Sequence, residues 1–288
     1  MSRTTRARLD QLLVDRGLAE TRSRAQALVL AGRVRVGAGD EARSGLKPGD
    51  LVALDAPIAV EAGLPFVSRG GEKLAAALDA FGVDPAGLVC LDAGASTGGF
   101  SDCLLQRGAA RVHAVDVGRG QLAEALRRDG RVVVHDRLNA RSLAPAVLGE
   151  AVQLAVADLS FISLALVLGP IASCVAPGGR IVALVKPQFE AGRAQAPRGV
   201  VRDPAVHRAV LERLAAAAAS LALWPRDVVA SPLRGPAGNR EFFLLLERGR
   251  AGNEAARGDG PGTPQGEAVA AGQRDADRLA ERIAEVTA

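Results

Sequence analysis

Four chemically active side chains follow four successive apolar segments of the chain. Asp116, Asp136 and Asp158 each end a segment that is typical of a buried strand, and Lys186 ends the next one. Ligands of open α/β sheets bind at the carboxyl ends of the strands. A carboxylate in the position of Asp116 can accept hydrogen bonds from both hydroxyl groups of a ribose. Asp136 is positioned to approach an adenine. The sequence therefore predicts a ligand-binding edge that also carries a lysine.

The lysines are few, which makes their positions informative. Of the 36 basic residues only Lys47, Lys73 and Lys186 are lysines. A chain that uses Arg for generic positive charge is expected to keep Lys where a compact ammonium that can lose its proton is needed. Lys73 lies near the start of a predicted helix, where its charge opposes the helix dipole, so helix stability does not explain it. A solvated surface lysine remains the alternative.

A further candidate, Glu241, begins the last predicted strand, residues 241–246. A short, turn-rich loop connects this strand to a strand at residues 228–231, and such a connection predicts an antiparallel pair. Antiparallel pairing places the start of the last strand beside the ends of the parallel strands. Glu241 is therefore expected at the same edge as Asp158 and Lys186.

The elements that must position these groups start with a strand, a glycine-rich turn and a helix. Residues 88–91 predict a buried strand, residues 94–99 a turn of small residues, and a helical pattern begins at Phe100. This arrangement brings backbone N–H groups and a helix N-terminus up to a nucleotide-like ligand. The spacing differs from the dinucleotide fingerprint G-x-G-x-x-G. On these residues alone an ordinary tight turn remains open.

Length and composition bound the fold and exclude several classes. A chain of 288 residues with 48% hydrophobic residues fits one large and one small domain. Its three cysteines are scattered in apolar runs, which predicts buried thiols in a reducing compartment. No C-x-x-C or H-E-x-x-H motif occurs, so we expect no metal site. The longest apolar run, residues 161–176, is interrupted and too short for a bilayer, and it predicts a buried helix.

The N-terminal segment is strongly basic. Residues 1–35 contain eight arginines and three acids, which indicates a nucleic-acid partner, although a solvated surface would also account for it. The spacing R-L-D-x-x-L-x-x-x-G, followed by (S/T)-R-x-x-A-x-x-L, resembles the S4 RNA-binding domain. The resemblance implies that five arginines face RNA phosphates: Arg8, Arg22, Arg24, Arg33 and Arg35. Arg8-Leu9-Asp10 also resembles a pseudouridine synthase motif, but it falls in the first helix, and we expect no catalytic role for Asp10.

Five motifs together resemble the TlyA family, which comprises S4-bearing, FtsJ-like ribosomal RNA 2′-O-methyltransferases that use S-adenosylmethionine (SAM). The motifs are Ser68-Arg-Gly-Gly-Glu-Lys73, Asp92-Ala-Gly-Ala-Ser-Thr-Gly-Gly-Phe100, Ala157-Asp-Leu-Ser-Phe-Ile-Ser163, Val185-Lys-Pro-Gln-Phe-Glu190 and Gly235-Pro-Ala-Gly-Asn-Arg-Glu241. The resemblance covers about residues 6–247. It implies an α/β methyltransferase fold, with a seven-stranded, mostly parallel sheet that has one antiparallel strand, and a small N-terminal α+β S4 domain.

The resemblance also assigns site residues, an acceptor and a partner. The catalytic tetrad falls on Lys73, Asp158, Lys186 and Glu241. The SAM site falls on Gly94, Ser96, Thr97, Gly98, Gly99, Phe100 and Asp158, with Asp116 on the ribose and Asp136 near the adenine. The acceptor would be a cytidine 2′-hydroxyl in ribosomal RNA or a ribosomal subunit. The C-terminal helix is typical of the longer subtype, which modifies both subunits.

We expect five segments along the chain: an S4 domain at residues 1–60, a linker at 61–66, the methyltransferase domain at 67–248, a flexible Gly/Pro-rich linker at 249–272, and a weak terminal helix at 273–288. The expected protein is a cytoplasmic monomer without membrane or metal.

The residues suggest a mechanism. A ribose 2′-hydroxyl is a poor nucleophile, so the enzyme must align the methyl transfer and remove a proton. In the hypothesis, Lys186 takes or steers that proton, while Asp158 and Glu241 hold the two ammonium groups; Arg could not replace Lys186, because it does not deprotonate. Two rivals remain: a non-catalytic RNA-binding or ribosome-assembly protein with a methyltransferase fold, and a haemolysin, a label that the family sometimes carries.

Overall fold

The computed structural model describes residues 6–30, 33–37, 42–43, 45–60, 65–235, 237–249 and 265–288, without the side chains of Arg24, Ala27, Arg193 and residues 265–275. The chain forms two compact units, Met1–Pro65 and Phe66–Ala288.

The described residues of the first unit form two helices and two small antiparallel strand pairs. Its elements are β1 (Arg6–Arg8), α1 (Leu9–Asp15), α2 (Arg22–Leu30), β2 (Val34–Val36), β3 (Leu51–Ala53) and β4 (Ile58–Val60). Strand β1 pairs with β3, and β2 pairs with β4, a strand that the sequence did not predict. The periodic apolar residues are buried as expected, among them Leu9, Leu13, Leu28 and Val34. The predicted α+β fold of this unit is confirmed.

The second unit is a seven-stranded sheet with helices on both faces. Its elements are α3 (Arg69–Phe81), β5 (Val89–Ala93), α4 (Gly99–Gln106), β6 (Arg111–Asp116), α5 (Glu124–Arg127), β7 (Val132–Asp136), α6 (Pro145–Leu148), β8 (Val152–Ala157), α7 (Leu168–Cys174), β9 (Val175–Val185), α8 (Pro187–Glu190), α9 (Pro204–Ala219), β10 (Leu223–Ala230), β11 (Phe242–Arg248) and α10 (Gln265–Thr287).

Strand order explains where a ligand can enter. The order is β10-β11-β9-β8-β5-β6-β7, and β11 runs antiparallel to both of its neighbours. The predicted sheet, mostly parallel with one antiparallel strand, is therefore confirmed. The chain goes from β5 outward to β6 and β7, and then returns to β8 on the other side of β5. Such a reversal opens a crevice at the carboxyl ends of the two central strands.

The core lies on both faces of this sheet. Successive residues of β9 alternate between them, because side chains of a strand point to opposite faces. Ile181 and Ala183 pack in one cluster with residues of α7, α9 and α10, and Val182 and Leu184 pack in another with residues of α3 and α4. The three cysteines are free and buried, as predicted.

Several element boundaries differ from the sequence predictions. In the apolar run at residues 161–176 only Leu168–Cys174 is α-helical, and Phe161 is 90% exposed. Strand β10 begins at Leu223 instead of Val228, because its full length pairs with β11. Helix α10 begins at Gln265, inside the segment predicted as a linker, and the rest of that segment from residue 250 lies outside the described residues. In the described part of the chain, no helix is long and apolar enough to cross a membrane.

Helix α10 is an integral part of the second unit. The exposed fractions of Leu279 and Ile283 are 8% and 2%, and both belong to the core cluster that contains α9. Arg282 forms an ion pair with Asp227 of β10 at 3.2 Å. The predicted weak terminal helix is thus anchored by apolar burial.

Replacing Ile283 by Ala should lower the free energy of unfolding of this unit by about 2–5 kcal/mol, because a buried side chain is truncated and leaves a cavity. Urea unfolding followed by circular dichroism would measure the change. The control is Glu281→Ala at an exposed position of the same helix, which should change stability by less than about 0.5 kcal/mol. Equal effects would contradict the packing of α10 on the core.

Candidate functional site

The carboxyl ends of β5 and β8 meet at the glycine turn. Gly94 follows β5 with a φ of +91°, which favours glycine, and a Cβ at this position would collide with the backbone oxygen of Asp158. The N–H groups of Gly94 and Ala95 both donate to the carbonyl of Val115 in β6, at 2.8 and 3.0 Å. The turn is therefore pinned between two strand ends, and its first glycine is required by this close approach.

The two later glycines of the turn are required by packing. A Cβ on Gly98 would collide with Leu122 and Leu126, and a Cβ on Gly99 would collide with the hydroxyl of Ser68. Gly98 is buried and is not among the residues that line either cavity, so its predicted place in a cofactor site stays a prediction. The side chains that exclude a larger residue there come from the segment after β6.

Two cavities open on either side of the turn. The larger, about 550 Å³, is lined by residues that follow β6, β7 and β8, including Asp116, Val117, Leu138, Asn139 and Ile162. The smaller, about 220 Å³, is lined by Ser68, Arg69, Lys73, Thr97, Gly99, Phe100 and Arg234, among others. Gly94, Ser96 and Asp158 line both cavities. The two spaces thus meet at the glycine turn and at the end of β8.

Of the two acids predicted to hold a nucleoside, the structure brings one to the larger cavity. The Asp116 carboxylate lines it and accepts the N–H groups of Ser96 and Gly118, at 2.8 and 2.6 Å. Asp136 instead pairs with Arg127 at 2.6 Å and accepts the N–H of Gly120 at 3.2 Å. The hydrogen bond from Arg127 lowers the pKa of Asp136. Asp136 lines neither of the two cavities, because α5 brings Arg127 over the end of β7, and its predicted position near an adenine stays a prediction.

The other predicted residues form two lysine–carboxylate pairs. Lys73 Nζ on α3 lies 2.5 Å from Glu241 Oε2, and Lys186 Nζ lies 2.5 Å from Asp158 Oδ1. Lys186 also donates a hydrogen bond to Ser160 at 3.0 Å. Both lysine side chains are 11% exposed, Glu241 is 1% exposed and Asp158 is 25% exposed. Removing the partner of a buried charge leaves that charge unpaired, so the Lys73–Glu241 pair is held on both sides and Asp158 holds the buried Lys186.

The register of the antiparallel strand unites the two pairs. Phe242 of β11 lies opposite Val185 of β9, so Glu241 enters the strand beside Lys186. Asp158 and Lys186 follow the ends of the neighbouring strands β8 and β9. Four groups that are far apart in sequence therefore stand along one edge of the sheet.

Buried polar contacts fix the loop that leads to Glu241. Asn239 is 2% exposed, donates to the carbonyl of Gly199 at 2.9 Å and accepts the N–H of Val201 at 2.9 Å. Arg240 donates to the carbonyl of Val286 in α10 at 3.0 Å. The start of β11 is thus tied to the loop before α9 and to the last turn of the chain.

The structure adds site residues that the sequence did not single out. Ser68, Arg69 and Arg234 line the smaller cavity, and Arg141 and Phe161 line the larger one. Phe161 has a φ of +63°, and its ring lies 4.9 Å from that of Phe189. The motif of residues 68–73 already contained the signal for Ser68 and Arg69. The sequence did not predict the exposure of the Phe161 ring, because Phe161 belongs to an apolar run and such a run predicts burial.

The five arginines predicted to face RNA lie in the first unit. Arg8 and Arg22 are about half exposed and form ion pairs with the buried carboxylate of Asp10, at 3.0 and 3.1 Å. Arg35 points outward from β2, and Arg33 is partly exposed. The side chain of Arg24 lies outside the described atoms. Within the described ranges of the chain, no group of His, Cys, Asp and Glu side chains could hold a metal ion.

Asp92 lies in β5, two residues before the first glycine of the turn. It is fully buried in β5, and its Oδ2 accepts the hydroxyl of Ser101 in α4 at 2.7 Å. Burial, with the nearby charges of Asp158 and Asp116, raises the pKa of Asp92 to about 7. A proton on this carboxyl therefore stabilises the strand–turn–helix unit.

Known proteins match both units. Residues 66–248 match the family model of FtsJ-like methyltransferases, and residues 7–37 match that of the S4 domain. The 16S/23S rRNA (cytidine-2′-O)-methyltransferase TlyA of Mycobacterium tuberculosis is 50% identical over 242 residues, which cover 84% of this chain and 90% of that protein. Hemolysin A of Brachyspira hyodysenteriae is 35% identical over 238 residues, 82% of this chain and 98% of that protein. A solved structure from Streptococcus thermophilus, described as a hemolysin, has a TM-score of 0.65 at 36% identity and covers 97% of this chain and 100% of that one.

The pKa of Asp92 predicts a pH dependence of stability. Because its folded-state pKa of about 7 exceeds the usual value of 3.8, the folded protein keeps a proton that the unfolded chain loses between about pH 4 and 7. The free energy of unfolding should therefore fall as pH rises through this range, by about 1.4 kcal/mol per pH unit for this group.

Asp92→Asn should abolish this contribution, so that the variant gains on the wild type between pH 5 and 8. Urea unfolding at the two pH values would measure the gain. Asp84→Asn, at an exposed acid, serves as the control and should follow the wild type. Parallel stability curves for the wild type and Asp92→Asn would contradict a raised pKa.

Proposed function

The chain belongs to the TlyA family of FtsJ-like methyltransferases that carry an S4 domain, and on that premise we propose that it transfers a methyl group from SAM to the 2′-hydroxyl of cytidine in ribosomal RNA. The observation that carries the proposal is the two lysine–carboxylate contacts beside the glycine turn, the buried pair Lys73–Glu241 and the partly buried pair Lys186–Asp158. Because the relative at 50% identity is named for both 16S and 23S RNA, we extend the proposal to both subunits.

The larger cavity fits the adenosine part of SAM. Its volume of about 550 Å³ suits a nucleoside, its walls include the apolar side chains of Val117, Leu138 and Ile162, and Asp116 supplies a carboxylate for the ribose hydroxyls. The smaller cavity, which shares Gly94, Ser96 and Asp158 with it, would receive the remainder of SAM and the acceptor. When bound, SAM supplies a methyl group that is already activated by its sulfonium.

The chain's own task is then to orient the acceptor hydroxyl and move its proton. Lys186 would contact the hydroxyl and, as a neutral amine, take its proton or, as an ammonium, steer it by a hydrogen bond to the hydroxyl oxygen, while Asp158 and Ser160 fix the position of Nζ. Lys73 and Glu241, through their own ion pair, would fix the acceptor side of the smaller cavity. Alignment of reacting groups and removal of one proton are what this transfer requires.

The RNA would be bound mainly through phosphates. The chain has no Tyr and only 3% aromatic residues, so we expect little base stacking. Arginines of the S4 unit would contact the backbone, and Arg69 and Arg234 at the smaller cavity would contact phosphates near the acceptor. The exposed ring of Phe161 offers one surface for stacking a base. Since ribosomal RNA is a cytoplasmic molecule, the proposed substrate implies action in the cytoplasm.

Lys186→Arg tests the role of the lysine. The variant should bind SAM and ribosomal RNA as the wild type does, but should lose at least about 100-fold in methyl transfer, because Arg keeps the positive charge and cannot accept a proton. Transfer of tritium from labelled SAM to ribosomal RNA would measure the loss.

The matched control is Lys47→Arg, the same substitution at an exposed lysine of the S4 unit, and it should retain activity. Retained turnover in Lys186→Arg would exclude the proton-transfer role. A wild-type protein that binds RNA but transfers no methyl group would instead favour the non-catalytic, ribosome-assembly alternative.

Asp116→Asn and Asp136→Asn form a second matched pair. Asp116→Asn should weaken SAM binding about 10-fold or more, because a charge-assisted hydrogen bond to the ribose is lost. Asp136→Asn should change the affinity by less than about threefold, since its carboxylate is engaged by Arg127. Titration calorimetry with SAM would measure both, and equal losses would refute the assignment of the larger cavity.

A further inference from the structure

The S4 unit contains a buried acid whose partners are mainly the arginines expected to bind RNA. The exposed fraction of Asp10 is 0%. Its carboxylate accepts hydrogen bonds from Arg8 Nε at 3.1 Å and Nη2 at 3.0 Å, from Arg22 Nε at 3.1 Å, and from Gln26 Nε2 at 2.9 Å. The contacts to Arg8 hold the pKa of this carboxyl well below its usual range. Asp10 is therefore an anion at any pH at which the protein functions.

The position of this charge conflicts with a simple basic surface. A buried carboxylate subtracts from the positive field that attracts RNA, and its burial costs free energy unless it is fully paired. Both arginine side chains nevertheless remain about half exposed, at 49% and 51%. The anion thus binds one side of each guanidinium and leaves the other accessible to solvent.

The geometry also brings two like charges together. Arg8 ends β1 and Arg22 begins α2, yet Nη2 of the first and Nε of the second contact the same oxygen, Asp10 Oδ2. Two guanidinium groups would separate by repulsion if this oxygen were not between them. Gln26, one turn further along α2, fills the remaining contact to Oδ2.

We propose that Asp10 is a positioning residue that holds Arg8 and Arg22 side by side as a clamp for the phosphate backbone of RNA. The inference rests on the proposed function, since RNA is the ligand. Asp10 lowers the overall positive charge slightly, but it restricts the side-chain freedom of two guanidinium groups before RNA binds. This restriction lowers the entropy cost of binding. A rival explanation is that Asp10 only joins β1, α1 and α2 within the fold.

Asp10→Asn and Asp15→Asn separate position from charge. Both variants remove one negative charge from helix α1, but Asp15 is exposed and contacts only Gln11 in the described structure. Asp15→Asn should bind RNA as tightly as the wild type or slightly more tightly. Asp10→Asn should bind about 10-fold more weakly despite the same gain in net positive charge, and its plot of log affinity against log salt should flatten by about one unit.

The probe is ribosomal RNA purified from a strain whose copy of this gene is deleted, with affinity measured by fluorescence anisotropy at several salt concentrations. SAM affinity, which depends on the second unit, should be the same in all variants. Asp10→Asn with the affinity and salt slope of Asp15→Asn would overturn the proposal.

A double-mutant cycle excludes the purely structural explanation. If Asp10 acts through the two arginines, Asp10→Asn should have no further effect on RNA affinity in a chain that already carries Arg8→Gln and Arg22→Gln. If Asp10→Asn merely unfolds the S4 unit, it should weaken binding by the same factor in both backgrounds, and that result would overturn the proposal.

The wild type and the two single variants also distinguish this inference from the proposed function. A wild-type protein that binds ribosomal RNA while Asp10→Asn behaves like Asp15→Asn would refute the clamp alone. A wild-type protein with no affinity for ribosomal RNA would refute both.

Discussion

The ion pair between Lys73 and Glu241 joins the first helix of the methyltransferase unit to its last strand. Both partners are almost fully buried, so neither charge is tolerable without the other. This requirement fixes α3 against the start of β11 and, through the register of β11 and β9, fixes Glu241 beside Lys186. Lys186 in turn is fixed by Asp158. The chain segments that carry these four charges therefore meet at one edge of the sheet.

The glycine turn is the second part of this constraint. Gly94 allows the end of β5 to contact the backbone of Asp158, and both of these residues line both cavities. Beneath the turn, Asp92 carries a raised pKa because it is buried among other acids. A site of this kind is built from groups that are costly to bury, and their mutual contacts offset the cost. The geometry of the turn and its local stability therefore depend on the same few side chains.

The sequence predicted what depends on short-range periodicity. Strand ends that carry Asp116, Asp158 and Lys186 could be located because apolar runs stop at a polar residue, and Glu241 followed from the short loop before β11. The contacts of Asp136 and Gly98 could not be predicted, because Arg127, Leu122 and Leu126 reach them from a segment whose packing no local pattern indicates. The exposure of Phe161 was missed because an apolar residue in an apolar run predicts burial. The roles of the four charged groups in methyl transfer remain a prediction.

The protein combines an S4 unit that would contact phosphates with an enzyme site that would act on one ribose. The proposed acceptor is the 2′-oxygen of cytidine. The most direct test is to incubate the full-length chain and SAM with ribosomal RNA and subunits from a deletion strain, and to identify the modified nucleosides by mass spectrometry after digestion. The expected new product is 2′-O-methylcytidine. A methyl group on a base, or no new product with either RNA or subunits, would contradict the proposal.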